Sequence, residues 1–154
     1  MQFLVTHARA AAEHIFEGAA FLFIDELLPE SKPAKGSNWN QIGVGLEYIG
    51  PTRGEVRLWV TESLARTIAV NMIGLDDADT CPRSKIIDAV KEVLNMIVGN
   101  FLTDAFDPDD VFNLGIPVEL QAEQVSESYS DAAHLWLDVE GNPTLISLHD
   151  SGNE

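Results

Sequence analysis

The sequence predicts an α+β fold, an antiparallel sheet with two long helices packed on one face. Three features carry that expectation. Two stretches, about residues 3–28 and 83–105, repeat apolar residues at helical spacing. Residues 42–60 alternate apolar and other residues about a glycine-bounded turn, as a β-hairpin does. Beyond residue 111 the chain holds further alternating runs joined by turn signals, so its strands are antiparallel neighbours rather than members of βαβ units.

The first helix is read from Phe3, Val5, Ala8, Ala12, Ile15, Ala19, Leu22 and Phe23, with Pro29 ending it near residue 28. Residues 29–38 (PESKPAKGSN) are polar and rich in breakers, hence a loop. Ile42, Val44, Leu46 and Tyr48 form one strand, and Val56, Leu58 and Val60 its partner, joined by the Gly50–Gly54 turn. Thr61 or Ser63 caps a short helix, Leu64 to Ile73, which Gly74 closes. An acidic loop, Asp76-Asp77-Ala78-Asp79, leads to Pro82, placed where a first helical turn accepts proline. The second long helix follows.

Phe112 to Val125 reads as an extended segment interrupted by Pro117, which suits a sheet edge. Residues 126–131 (SESYSD) read as a polar loop. Leu135, Leu137 and Val139 alternate, Gly141-Asn142-Pro143 turns, and Leu145, Ser147 and His149 return. The sheet is expected to have about five strands. One domain is expected over residues 1–150, with a frayed tail at 151–154.

Composition bounds the function. A net charge of −16 repels phosphate backbones and anionic lipid, so neither nucleic acid nor membrane is expected as a partner. The best apolar run, Ala19 to Ile24, is too short to span a bilayer, and MQFLVTHARA does not resemble a secretory leader. A single cysteine, Cys81, allows no disulfide within the chain. A cytoplasmic location is the expectation.

No metal site is expected. His7 and His14 share a helix but lack a third ligand of fitting spacing. Asp76-Asp77-x-Asp79 and Asp107-x-Asp109-Asp110 lack the glycine and terminal glutamate of a calcium loop. Trp59 and Trp136 fall out of phase with the apolar residues of their strands. They are therefore either exposed, for a partner or a dimer, or covered by a helix of their own chain.

The second long helix carries the candidate chemistry. Plotted at 100° per residue, Ile86, Ile87, Val90, Val93, Leu94, Ile97, Val98 and Phe101 fill one half of the circumference. Asp88, Lys91, Glu92, Asn95 and Gly99 lie on the other half. Asn95 and Gly99 are odd choices for an exposed helix centre, each costing about 0.5–1 kcal/mol relative to alanine. Glu92 and Asn95, three apart, emerge side by side. The carboxylate can pair a cation on a partner, and the carboxamide can donate and accept, so it can orient a water. Asp88 flanks Glu92 one turn earlier, and Gly99 leaves room for a close approach. The plain alternative is a solvated helix face.

The context of these residues, DAVKEVLNMIVGN at 88–100, resembles the CheC/CheX/FliY family of chemotaxis phosphatases. That family's signature is Asp or Ser, then Glu four later, then Asn three later, in a long helix. Asp88, Glu92 and Asn95 match it, and Gly99-Asn100 matches the usual continuation. WNQIGVGLEYIGPTRGEVRLWV (39–60) resembles the family hairpin, SLARTIAVNMIG (63–74) its short helix, and Pro117 falls where the family often has a proline. IFEGAAFLF (15–23) resembles the first helix of the CheX-like branch, so the likeness spans about residues 15–121. Some relatives carry two motifs. This chain has one, its first helix reading EHIFEGAA without the asparagine, which favours the CheX-like branch.

The resemblance implies a CheC/CheX-like fold and removal of the phosphoryl group from the aspartyl phosphate of a CheY-like receiver domain. Glu92 would pair with a conserved lysine of the receiver, and Asn95 would orient the attacking water. Asp88 and Gly99 would support them. No cofactor would be bound by this chain, and Mg2+ would sit on the receiver. A homodimer is also implied. The alternative is a non-catalytic module of the same fold that binds a receiver or a flagellar switch protein.

Overall fold

The computed structural model describes residues 2–74 and 80–152. Four α-helices occur among them: α1 (Gln2–Gly18), α2 (Glu62–Ile73), α3 (Arg83–Ala105) and α4 (Val125–Tyr129). Seven strands, β1 (Ile24–Glu26), β2 (Gln41–Ile49), β3 (Arg53–Thr61), β4 (Asn113–Leu114), β5 (Val118–Leu120), β6 (Ala133–Val139) and β7 (Asn142–Gly152), form one sheet. Every pairing is antiparallel, in the order β1-β6-β7-β3-β2-β4, with β5 also paired to β2. The α+β class is as expected, with seven strands where about five were read. The two additional pieces are short edges.

Strand alternation divides the core between the two faces. Ile42, Val44, Leu46, Val56, Leu58, Val60, Leu135, Leu137, Ile146 and Leu148 point to one face, where α1, α2 and α3 cover them. The opposite register of the same strands carries Trp59, Trp136 and Leu145 into a second, smaller cluster with Leu27 and Val125. Both tryptophans are therefore buried, and the helix that covers them is α4. The Trp59 indole donates to Ser128 Oγ at 2.9 Å, and Ser147 Oγ bonds the same hydroxyl at 3.0 Å. Arg57 holds α4 further out through Glu127 while bonding Glu55 at 2.6 Å. Burial lowers the affinity of that guanidinium for its proton, but the two carboxylates outweigh it and the net shift is upward.

Three segments differ from the sequence reading. The first helix stops at Gly18, ten residues short of its expected end at residue 28. Phe21 takes a left-handed φ of 58°, and Leu22 N–H returns to Phe16 O at 2.9 Å, closing the last turn. Asn71 Nδ2 donates to Ala20 O at 2.8 Å, satisfying a carbonyl at that end. The chain then pairs with the free edge of β6, Ile24 opposite Val139. Periodicity could not reveal that edge.

The second difference is at 112–131. Only β4 and β5 are extended there, both against β2, which agrees with an edge position. Gln121 and Gln124 cap one another reciprocally, starting a 3-10 turn that passes into α4. The third is the end of β7, which runs to Gly152 opposite Arg53, one residue beyond where fraying was expected to begin. The β6–β7 turn is the two-residue Glu140-Gly141, both at positive φ (51° and 84°), with Asn142 and Pro143 already in β7.

The hairpin, α2 and α3 lie where the sequence placed them. Thr61 Oγ1 accepts from Leu64 N–H at 3.0 Å, and Gly74 ends α2 at φ 76°. Pro82 is the residue just before α3, in extended conformation, rather than in its first turn. The acidic loop at 76–79 lies outside the described residues.

Candidate functional site

α3 is a continuous helix of 23 residues, roughly 34 Å long at 1.5 Å per residue. It packs against α1 and α2 and lies over β2 and β3. Ten of its residues are buried, among them Val90, Leu94 and Ile97. That apolar half fixes the helix rotation, and therefore which residues face outward. Asp88 and Glu92 are exposed, and Asn95 and Gly99 are half-buried. The structure thus aligns all four sequence-predicted residues along one stripe.

The stripe is chemically open. Among the described residues, the side chains of Asp88, Glu92 and Asn95 make no hydrogen bond and no ion pair. A half-buried carboxamide with no partner among the described residues keeps its donors and acceptor for another molecule. Gly99 is not required by packing or backbone, since a Cβ there would meet nothing within 4 Å. Its missing side chain leaves the space beside Asn95 unoccupied. Thr103 Oγ1 donates to Gly99 O at 2.9 Å, so that hydroxyl is turned back onto the helix.

Just beyond Gly99 the surface sinks into a cleft of about 250 Å3. Leu102, Phe112 and Leu114 line it, with Thr103, Asp107 and Asp110 also in its wall. Sequence reading did not find this cleft, because its walls come from α3 and from a loop and strand that return alongside it. The one available signal was the Asp107-x-Asp109-Asp110 turn, where Asp107 Oδ1 accepts from Asp109 N–H at 2.9 Å. Among the described residues no three His, Cys, Asp or Glu side chains converge as a metal would need. None of their helices is long and apolar enough to cross a membrane.

This architecture is shared with solved CheX structures. CheX from Vibrio vulnificus superposes with a TM-score of 0.69 at 20% identity, covering 96% of each chain. CheX from Desulfovibrio desulfuricans gives 0.68 at 14% identity, over 94% of this chain and 97% of that one. The Borrelia burgdorferi CheX–CheY–BeF3–Mg2+ complex gives 0.67 at 18% identity, over 95% and 96%. No curated protein matches the sequence. The model of the chemotaxis phosphatase CheX family matches residues 42–140, well over half of the chain and including the whole stripe, and the chain belongs to the CheX family.

Proposed function

We propose that this protein is a phosphatase that hydrolyses the aspartyl phosphate of a CheY-like receiver domain. Membership of a chemotaxis phosphatase family supports the reaction class. The Borrelia CheX structure, in complex with CheY, BeF3 and Mg2+, supports the kind of partner. The observation that carries the reading is Asn95, a half-buried carboxamide without a hydrogen bond among the described residues, beside the open space at Gly99.

In this mechanism α3 presents its stripe to the receiver. Glu92 pairs with the receiver's lysine and fixes the docking register. Asn95 enters the receiver site and holds a water in line with the phosphorus. Asp88 flanks Glu92, and Gly99 clears the approach. The water oxygen bonds to phosphorus as the bond from phosphorus to the aspartyl oxygen breaks, releasing phosphate and the receiver's carboxylate. The receiver supplies the Mg2+, and this chain contributes positioning, which is most of what phosphoryl transfer asks of a protein.

The direct test follows the decay of phosphorylated receivers from the same genome with and without the protein. Acceleration of one of them is expected. Binding without acceleration would instead mark a non-catalytic module. Glu92→Ala is expected to raise the receiver concentration needed for half-maximal rate, by about tenfold at low salt. The deficit should shrink as salt rises, because an intermolecular ion pair is screened. A salt-independent defect would count against the pairing role.

We also propose a homodimer joined through the outer edge of the sheet. Ile116 is 87% exposed and Val118 51%, at the β5 edge. Pro117 interrupts the hydrogen-bonding row there, so the contact buries apolar side chains more than it pairs backbones. Ile116→Lys should shift sedimentation from dimer to monomer at micromolar concentration. A wild-type monomer at high micromolar concentration would refute the assembly.

A further inference from the structure

The cleft beyond Gly99 has a composition that suits one kind of guest. Its floor is apolar: Leu102 is buried at the end of α3, Phe112 is half-buried, and Leu114 sits opposite Tyr48 on the helix side of the sheet. Its rim is acidic: Asp107 and Asp110 are both exposed, and neither forms an ion pair among the described residues. The turn that carries them is fixed by Asp110 N–H to Asp107 O at 2.9 Å and by the Asp107 side-chain bond to Asp109 N–H. The Asp107 carboxylate is therefore held in place, and the backbone that carries Asp110 is fixed beside it.

The cleft is also continuous with the stripe. Gly99 belongs to both. Along the helix axis Gly99 lies roughly 6 Å and Thr103 roughly 12 Å beyond Asn95. A standard protein interface covers roughly 800 Å2 per partner, a disc of roughly 16 Å radius. A partner centred on Asn95 therefore lies over the cleft as well.

We infer that the cleft is a second anchor for the receiver, taking one lysine or arginine side chain from its surface. The proposal rests on the phosphatase reading of the same helix and adds what sets partner choice. The aliphatic stem lies along Leu102, Phe112 and Leu114, and the cationic head meets Asp107 and Asp110. About 250 Å3 accommodates one such side chain. A wholly apolar guest would leave both carboxylates facing it unpaired, with a desolvation cost that a basic guest avoids. A protein of net charge −16 also favours approach by a basic surface.

The test reads binding rather than turnover. Its probes are the receiver domains encoded in the same genome, each loaded with Mg2+ and BeF3. Asp107→Asn with Asp110→Asn preserves size and the turn-forming acceptor. It should weaken binding by about tenfold at low salt, with the gap closing as salt rises. Thr103→Trp, at an exposed helix position, should fill the cleft and weaken binding at every salt concentration. One lysine or arginine of the receiver should then prove costly to truncate against wild type and silent against the double variant. Unchanged affinity in both variants, with wild type binding, would overturn the anchor and leave the phosphatase reading standing. Weakening by Thr103→Trp alone would overturn the basic guest in favour of an apolar one. A shift in oligomeric state in the double variant would assign the cleft to a second copy of this chain instead. Wild-type protein that binds no loaded receiver would remove the phosphatase reading and the anchor together.

Discussion

Replacing Asn95 with alanine is expected to lower the rate of receiver dephosphorylation on the order of a hundredfold or more, the usual consequence of losing one group aimed at a transition state. Affinity for the Mg2+- and BeF3-loaded receiver should change little, since the carboxamide's proposed task is to hold water at the phosphorus rather than to grip the ground state. The fold should not suffer. The Asn95 side chain makes no hydrogen bond among the described residues, so none is lost. Alanine is the better helix former by roughly half a kcal/mol, so α3 should be as stable or slightly more so. A rate loss with an unchanged or raised melting temperature therefore reports on the site alone. Gly99→Leu is the companion variant: it keeps Glu92 and Asn95 but fills the open approach, so binding and rate should fall together. Equal decay rates for wild type and Asn95→Ala, on a receiver that wild type accelerates, would remove Asn95 from the mechanism.

The largest effect on stability is expected on the other face of the sheet, at Trp59. Its indole is fully buried, and it lies flat over Gly43, where a Cβ would sit 2.4–2.6 Å from the ring carbons. Trp59→Ala should cost about 3–5 kcal/mol, leaving a cavity beneath α4 and removing the indole's bond to Ser128, which keeps its bond with Ser147. Gly43→Ala should cost about 1–3 kcal/mol by the opposite fault, because the ring is boxed in by Trp136, Leu145 and Val125 and cannot slide away. The two faults should partly cancel. In the Trp59→Ala background, Gly43→Ala is expected to be neutral or stabilising, as it fills vacated space and favours the strand. Urea unfolding midpoints of the four proteins would decide it. Additive penalties would mean that the glycine serves something other than the ring. Folded Trp59→Ala protein should match wild type in the proposed receiver dephosphorylation, because α3 packs on the opposite face.

The sequence by itself determined the parts whose signals are local. Residues 41–61 form the hairpin because one face alternates and glycines punctuate its turn. α2 is bounded by its own Thr61 cap and by Gly74 in the left-handed conformation. α3 and the outward direction of Asp88, Glu92, Asn95 and Gly99 follow from a half-apolar circumference, which leaves one way to bury the helix. Tertiary structure decided what depends on partners far along the chain. Phe23 continues a helical spacing, yet stands 72% exposed in a connection that ends α1 early. The reason is an open edge on β6 more than a hundred residues later, whose backbone groups take up Ile24–Glu26. Ser128 sits in a stretch that reads as polar loop, but Trp59 and Ser147 bond its hydroxyl in a buried site, and the segment coils into α4 over them. The cleft beyond Gly99 is of the same kind, built where the end of one helix meets a loop and a strand. Helix and strand periods record which side of an element is buried, and they carry no record of what a distant edge, ring or hydroxyl will require of the chain that reaches it.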